Sequence, residues 1–140
     1  MEQQTKMTAT AHGPELAVAR TFLGGLVAQD FTAVLRALAP SVRLRALLPA
    51  GLREWTGAAV VAGRFERWFG DTEQFDPVGA TVGEVGGRVH LWWRFRLQAG
   101  RLGPGGFVVE QSAYANVDER GGIECLDLLC TGYLPEASGG

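Results

Sequence analysis

Cysteine and histidine are scarce in this chain of 140 residues, which contains only Cys125, Cys130, His12 and His90. Their spacing is not that of a metal-binding motif, so we expect neither a metal site nor a bound cofactor. On one strand the two cysteine side chains would point to opposite faces, which disfavours a disulfide between them. We therefore expect reduced thiols and a cytoplasmic location.

Lysine is almost absent, because twelve of the thirteen basic residues are arginines, and these are scattered along the chain. With a formal charge of −2, the chain lacks the basic stripe that attracts nucleic acid, so we expect no nucleic-acid partner. Long apolar runs and a signal-peptide core are also missing, so we expect no membrane segment. The chain does have 46% apolar residues, which is enough to bury the core of one domain.

Apolar residues recur at helical spacing in three segments. Pro14 is typical of the first position of a helix. Asp30 is a good N-cap for a second helix, which we expect Pro40 to end. Thr56 can cap a third helix over residues 57–70.

Alternating stretches predict strands at 41–49, 76–85, 88–98, 107–118 and 122–133, with a short strand before the third helix. Helices followed by a run of long strands indicate an α+β fold with the helices on one face of the sheet. A strongly curved sheet wrapped around helices makes a cone with one open mouth, and such a mouth is a natural small-molecule site.

In this interpretation residues 13–134 form one domain, with flexible tails at 1–12 and 135–140. Gly24-Gly25 inside the first helix either allow close packing against a neighbour or leave room for a ligand. Whether the loop 99–106 covers the mouth of the cone is left open.

Three stretches carry a resemblance to a known superfamily: "AQDFTAVLRALAPSVRLRALLP", "TGAAVVAGRFERWFG" and "YANVDERGGIECLDLL". In this order they resemble the nuclear transport factor 2-like superfamily, in particular its SnoaL-like polyketide cyclase branch, over residues 14–134. The resemblance implies a cystatin-like cone, in which a curved, mostly antiparallel sheet wraps around three helices. The fold alone does not define an activity, because it hosts several kinds of enzyme and also non-catalytic modules.

The resemblance also implies where catalytic groups would lie, and this chain lacks them. The positions that match the tyrosine and the two aspartates of ketosteroid isomerases hold Phe22, Ala46 and Ala113. The positions that match the histidine and aspartate of SnoaL-like aldol cyclases hold Leu126 and Leu128. We therefore expect no tuned acid–base pair.

Strand parity directs Trp93 into the cone and Trp92 outward. The inward apolar side chains are the expected substrate-binding wall: Phe22, Leu26, Leu44, Ala46, Phe65, Trp68, Leu91, Trp93, Phe95, Val109, Ala113, Leu128 and Cys130. Gln111 is the inner polar residue that a filled core explains least well, because a buried amide needs hydrogen-bond partners. It is our candidate catalytic residue, as a hydrogen-bond donor. The alternative is that the same residues simply fill the core.

From the resemblance we expect a cyclase or isomerase of polyketide-type biosynthesis that binds an apolar small molecule. Without acid–base residues it would promote intramolecular cyclisation, including pericyclic closure, by shape and positioning. The alternatives are a non-catalytic small-molecule-binding module and a dimerisation module of the same fold.

The outer sheet face is expected to mediate a two-fold homodimer, because aromatic residues and arginine are enriched at the centres of interfaces. Across the hairpin we expect Trp92 near Tyr114 and Arg96 near Glu110. A monomer whose arginine side chains cover Trp92 is the alternative. Asp127, which also points outward, is expected in a surface salt bridge.

Overall fold

The computed structural model describes residues 13–136, in which three helices pack against a seven-stranded sheet. The helices are α1 (Pro14–Ala28), α2 (Phe31–Ala37) and α3 (Ala58–Phe69). Pro14 occupies the first turn of α1, where its missing N–H is no loss. The Asp30 side chain accepts a hydrogen bond of 3.2 Å from the Ala33 N–H and so caps α2 as predicted.

The strands are β1 (Leu38–Leu48), β2 (Gly51–Thr56), β3 (Gln74–Val85), β4 (Arg88–Gln98), β5 (Phe107–Val117), β6 (Ile123–Cys130) and β7 (Leu134–Pro135). Their order across the sheet is β2-β1-β6-β5-β4-β3, and β7 pairs with β5. The pairs are antiparallel except for β1 and β6, which run parallel. The predicted α+β fold, with a curved and mostly antiparallel sheet wrapped around three helices, is confirmed.

The second helix ends earlier than the sequence suggests. It stops at Ala37, and Pro40 lies inside β1 instead of terminating the helix. The pairing of β1 with β6 shifts register between Leu38 and Arg43, so Pro40 lies where the ladder is interrupted. Proline, which has no N–H to donate, is accommodated in a strand at such an irregularity.

The start of α3 and the end of β6 also differ from the prediction. The N-cap of α3 is Gly57 rather than Thr56, and its φ of 101° lies in the region that favours glycine. The last long strand ends at Cys130, and a turn then leads into β7.

The tails expected at the two ends of the chain are described only in part. Residues 1–12 and 137–140 lie outside the described range. Pro135 is paired with Phe107, and the Glu136 N–H donates a hydrogen bond of 2.9 Å to the Gly106 carbonyl. The described part of the expected C-terminal tail is therefore held by the sheet.

The core lies between the helices and the inner face of the sheet. On β4 the buried residues alternate with exposed or half-buried ones, and Trp93 is fully buried, as the strand parity predicts. Gly25 lies at the contact of α1 with α2, so this glycine serves close packing, whereas Gly24 faces open space. None of the three described helices is long and apolar enough to cross a membrane.

Candidate ligand-binding site

A row of paired residues crosses four strands, and its last two members line a cavity. Backbone pairing places Ala80 of β3 beside Trp93 of β4. Trp93 in turn lies beside Gln111 of β5, and Gln111 lies beside Cys130 of β6. The two residues of this row that carry hydrogen-bonding nitrogen atoms, Trp93 and Gln111, are therefore neighbours on the inner face.

Three aromatic rings from three different elements meet in the middle of the cone. The ring centroid of Phe22 lies 5.3 Å from that of Phe65 and 6.2 Å from that of Trp93. The Phe65 and Trp93 centroids are 6.3 Å apart, and all three residues are 0% exposed. Contacts at these distances and tilts are typical of well-packed aromatic side chains. The middle of the cone is therefore filled by these rings.

Gln111 is buried with one half of its amide satisfied. Only 1% of the residue is exposed. Its Oε1 accepts a hydrogen bond of 3.1 Å from the indole Nε1–H of Trp93. Its Nε2 is buried and has no hydrogen-bond partner in the described part of the chain. An unpaired buried donor costs roughly 1–3 kcal/mol, so the amide nitrogen marks a place where an acceptor would be stabilising.

Gln111 is also one of the residues that line a cavity of about 520 Å³. Its wall comes from the end of β1 and the β1–β2 turn, from α3, from β5, from the end of β6 and from the segment that leads into β7: Leu48, Pro49, Ala50, Trp68, Gln111, Cys130, Thr131, Gly132, Tyr133 and Leu134. Among these lining residues there is no carboxylate, histidine, lysine or arginine. The volume lies within the usual range of small-molecule sites, about 300–1,000 Å³.

The segment after β6 is anchored to the end of α3. The Tyr133 hydroxyl donates a hydrogen bond of 2.5 Å to the Trp68 carbonyl, which also accepts one of 2.8 Å from the Arg101 guanidinium. Burial raises the pKa of Tyr133 above its usual value, although the neighbouring Arg101 opposes the shift. Gly132 approaches Pro49 so closely that a Cβ atom there would lie 2.6 Å from the proline ring. The two turns that form the wall are thus in direct contact.

Trp68 of the cavity wall packs edge-to-face against Trp55, which in turn lies beneath a cation. Cζ of Arg64 lies 4.6 Å above the ring of Trp55, and the Trp55 centroid lies 5.8 Å from that of Trp68. Such a cation–π contact stabilises the indole beneath it. Trp68, which lines the cavity, is therefore packed on one side against this Trp55–Arg64 pair.

The loop 99–106 is not part of the wall. Residues Gly100–Leu102 form a short 3-10 helix, and Arg101 donates hydrogen bonds to the Arg67 and Trp68 carbonyls at 3.0 and 2.8 Å. These carbonyls end α3, where intrahelical partners are lacking. The loop thus caps a helix, and none of its residues lines the cavity described above.

Of the predicted site residues, only Trp68, Gln111 and Cys130 line this cavity. The others are fully or almost fully buried in the core, because the large rings of Trp93, Phe22 and Phe65 close the middle of the cone: Phe22, Leu26, Leu44, Ala46, Phe65, Leu91, Trp93, Phe95, Val109, Ala113 and Leu128. Sequence reasoning missed the turn residues of the wall, and the only signals for them were the turn-forming Pro49 and Gly132.

The resemblance implies positions at which ketosteroid isomerases and SnoaL-like aldol cyclases carry acid–base groups. In this structure those positions do come together. Backbone pairing places Ala46 beside Leu128, and Leu128 beside Ala113, on the inner face. Ala46 and Ala113 are 0% exposed and Leu128 is 4% exposed. Phe22 and Leu126 are also fully buried. This part of the inner face is an alkyl surface that offers no proton donor or acceptor.

Trp92 lies on the outer face as predicted, but its neighbours differ. It pairs with Ser112, whereas Tyr114 pairs with His90 and Glu110 with Arg94. The half-buried Trp92 ring lies against Gly79, where a Cβ atom would be 2.9 Å away, and its Nε1–H donates a hydrogen bond of 2.9 Å to Glu110. The expected Trp92–Tyr114 and Arg96–Glu110 pairs are therefore wrong, because the register places Ser112 and Val108 opposite Trp92 and Arg96.

The expected salt bridge of Asp127 is present. Its carboxylate accepts hydrogen bonds of 2.9 Å from Arg45 and of 2.9 Å from Arg88. Partial burial raises the pKa of Asp127, but the hydrogen bonds and charges of the two arginines outweigh it, so the pKa lies below its usual value. Asp127 is therefore a structural link across the outer face rather than a group of the cavity.

The three helices and the curved, mostly antiparallel sheet form a cystatin-like, nuclear transport factor 2-like fold. No protein-family model matches the chain, and no curated protein matches it by sequence. Among the residues that the structure describes, no group of His, Cys, Asp or Glu side chains is arranged to hold a metal ion.

Solved structures do match the chain. A candidate polyketide cyclase from Xanthomonas campestris pv. campestris has a TM-score of 0.64 at 18% identity, over 85% of this chain and 91% of its own. An LEH-like epoxide hydrolase from M. tuberculosis has a TM-score of 0.62 at 19% identity, over 84% and 82%. A bacterial protein with a cystatin-like fold from Silicibacter pomeroyi DSS-3 has a TM-score of 0.59 at 17% identity, over 87% and 79%. At these identities the matches establish the fold alone.

Proposed function

We propose that this protein is a SnoaL-like cyclase or isomerase of polyketide-type biosynthesis, which binds an apolar substrate in the cavity between Trp68 and Gln111. The observation that carries the proposal is the joint presence of an apolar cavity of about 520 Å³ and a buried amide N–H of Gln111 without a partner. The similarity in fold to a candidate polyketide cyclase and an epoxide hydrolase supports a small-molecule enzyme.

The chemistry open to this site is positioning rather than proton transfer. The cavity wall carries no carboxylate or histidine, and the inner positions Ala46, Ala113 and Leu128 carry only alkyl groups. Holding a flexible chain folded so that its reacting atoms meet removes entropy from the barrier, up to about 7–11 kcal/mol in the best intramolecular cases. An intramolecular cyclisation, including a pericyclic one, can be accelerated in this way.

Gln111 would act on the substrate as a neutral hydrogen-bond donor. If negative charge develops on a carbonyl oxygen during ring closure, a fixed N–H directed at that oxygen stabilises the transition state. Loss of one such donor lowers the rate by roughly 10²–10³ in well-studied cases. The indole of Trp68 offers a face on which a conjugated part of the substrate can stack.

A second candidate is a non-catalytic carrier of the same apolar ligand, which the alkyl row at Ala46, Leu128 and Ala113 favours. The two candidates differ in turnover. We would incubate the protein with the N-acetylcysteamine thioester of a linear β-polyketone and follow cyclic products by liquid chromatography and mass spectrometry, against spontaneous cyclisation. Accelerated or redirected cyclisation supports the enzyme, whereas tight binding with an unchanged product profile supports the carrier.

Variants test the location of the site in the same assay. Trp68→Ala should weaken thioester binding by about tenfold, because an aromatic side chain supplies much of the contact area. Trp92→Phe is the matched control, since Trp92 is an aromatic residue of the outer face and does not line the cavity. Equal effects of the two substitutions would contradict a site at Trp68.

A further inference from the structure

The orientation of the Gln111 amide is fixed by its neighbour on β4. The indole nitrogen of Trp93 can only donate a hydrogen bond, so the amide group that faces it must be the oxygen. Turning the amide over would place two donors against each other in a buried site. The NH₂ group of Gln111 therefore faces away from the indole nitrogen, and Gln111 itself belongs to the wall of the cavity.

Other polar side chains of the wall are already engaged. The Thr131 hydroxyl donates a hydrogen bond of 2.8 Å to the Gly132 carbonyl and accepts one of 3.0 Å from the Glu110 N–H. The Tyr133 hydroxyl donates to the Trp68 carbonyl at 2.5 Å. The Cys130 Sγ accepts from the Gly132 N–H at 3.3 Å. Among the buried side-chain donors of this wall, the amide nitrogen of Gln111 is thus the one without a partner.

We infer that Trp93 is a positioning residue that makes this cavity selective for neutral ligands with a hydrogen-bond acceptor, such as a ketone, an ester or a quinone carbonyl. It does so by holding the Gln111 amide oxygen against its own indole N–H, which leaves the NH₂ group facing away and without a partner. The inference rests on the proposed ligand site and adds the class of ligand that the site takes.

The wall argues against two other ligand classes. A ligand that presents only a donor would leave the Gln111 NH₂ group unpaired, and sites built around a hydrogen bond reject such analogues strongly. A carboxylate or phosphate would lose its hydration against a wall without lysine, arginine or histidine. A neutral acceptor is the class that satisfies Gln111 without burying a charge.

Three flat tricyclic probes of nearly equal shape test this selectivity: 9-fluorenone, which has a carbonyl acceptor, fluorene, which has neither donor nor acceptor, and carbazole, which has an N–H donor. Binding to the full chain is measured by quenching of tryptophan fluorescence and by calorimetry. We expect 9-fluorenone to bind about tenfold more tightly than fluorene, and carbazole to bind most weakly.

Two variants separate recognition from packing. Gln111→Leu keeps a side chain of similar size and should remove the preference for 9-fluorenone over fluorene. Trp93→Phe removes the indole N–H and frees the amide to turn over. The affinity for carbazole relative to the affinity for 9-fluorenone should therefore rise by about fivefold or more. A purely structural role of Trp93 would instead lower the affinity for all three probes alike and leave their ratio unchanged, which would overturn the inference.

A measurement on the unaltered protein covers the case in which Trp93→Phe does not fold. The infrared carbonyl stretch of bound 9-fluorenone should shift to lower wavenumber than in an apolar solvent, because a hydrogen bond weakens the C=O bond. An unshifted band would overturn the inference. Equal binding of all three probes would also overturn the inference, but it would still support the proposed ligand site. If none of the probes binds, the proposed ligand site itself is contradicted.

Discussion

A Cβ atom at Gly25 of α1 would lie 2.9 Å from Cγ2 of Val34 in α2. This added Cβ atom would also lie 3.0 Å from the Asp30 carbonyl oxygen, so the two helices are in contact at this glycine. Gly24, the preceding residue in the same helix, has no neighbouring atom within 4 Å of the corresponding position. Two adjacent glycines of one helix therefore have opposite surroundings.

The two glycines should respond in opposite directions to alanine. Gly25→Ala should lower the free energy of unfolding by about 1–3 kcal/mol, because an overpacked core forces its neighbours to shift. Gly24→Ala should raise it by up to about 1 kcal/mol, because alanine favours the helix. Urea denaturation of both variants beside the wild type measures the difference. Destabilisation by both substitutions to the same degree would contradict the distinction.

The outer face suggests a revised dimerisation surface. Leu52, Leu47 and Leu129 lie side by side on β2, β1 and β6, and are 66%, 48% and 56% exposed. The indole N–H of the half-buried Trp92 already donates a hydrogen bond to Glu110 of the same chain. We therefore propose that this leucine row, rather than Trp92, is the centre of a homodimer.

Leu129→Glu should convert this dimer to a monomer in sedimentation velocity experiments, because a charge would be buried in the contact. Val85→Glu is the matched control, since Val85 is 53% exposed at the end of β3 and lies away from the row. A wild type that sediments as a monomer at all concentrations would exclude the dimer. A dimer that survives Leu129→Glu would move the contact elsewhere.

Asp127 should contribute to stability only above acidic pH. Its pKa is lower in the folded chain than in the unfolded chain, so its contribution is complete above the unfolded value of about 3.9 and is lost as the pH falls through the folded value. At pH 7, Asp127→Asn should lower the free energy of unfolding by at most about 1 kcal/mol, because the ion pairs are partly exposed to solvent. The difference between wild type and variant should shrink as the pH falls below the unfolded value and vanish below the folded one, and a difference independent of pH would contradict the assignment.

Any turnover in the cavity should be nearly independent of pH between about 6 and 7.5. The wall lacks carboxylates and histidine, and burial raises the pKa of Tyr133, which keeps that hydroxyl protonated in this range. Initial rates with the β-polyketone thioester, corrected for spontaneous cyclisation at each pH, measure this. A bell-shaped profile centred near neutrality would contradict catalysis by positioning alone and would indicate a titrating catalytic group.

The fold could be predicted from the sequence because it depends on local signals that recur. Strand alternation assigned Trp93 to the core and Trp92 to the outer face, and Asp30 correctly marked the start of α2. The errors lie where backbone geometry overrides the local pattern. Pro40 fits inside a strand because the β1–β6 register is interrupted there. The N-cap of α3 is Gly57 instead of Thr56, because the backbone at this position has a positive φ, which favours glycine.

The cavity was harder to predict than the fold. An inward-pointing side chain can either line the cavity or fill the core, and strand alternation does not distinguish the two. Whether the rings of Phe22, Phe65 and Trp93 meet depends on distances across the whole cone. The cavity instead lies beside turns, whose conformations depend on contacts such as that of Gly132 with Pro49. Gln111 was identifiable from the sequence because a lone amide among alternating apolar residues is conspicuous.

Much of the cavity wall consists of turn residues. During evolution, substitutions in these turns can therefore change the cavity without changing the stability of the fold. Pro49, Ala50 and Leu134 are exposed to solvent and line the cavity, so their replacement should alter the shape of the cavity at small cost to the core. The aromatic centre around Trp93 meanwhile preserves the scaffold. A combinatorial library restricted to these three positions would thus be an economical starting point for engineering new ligand preferences.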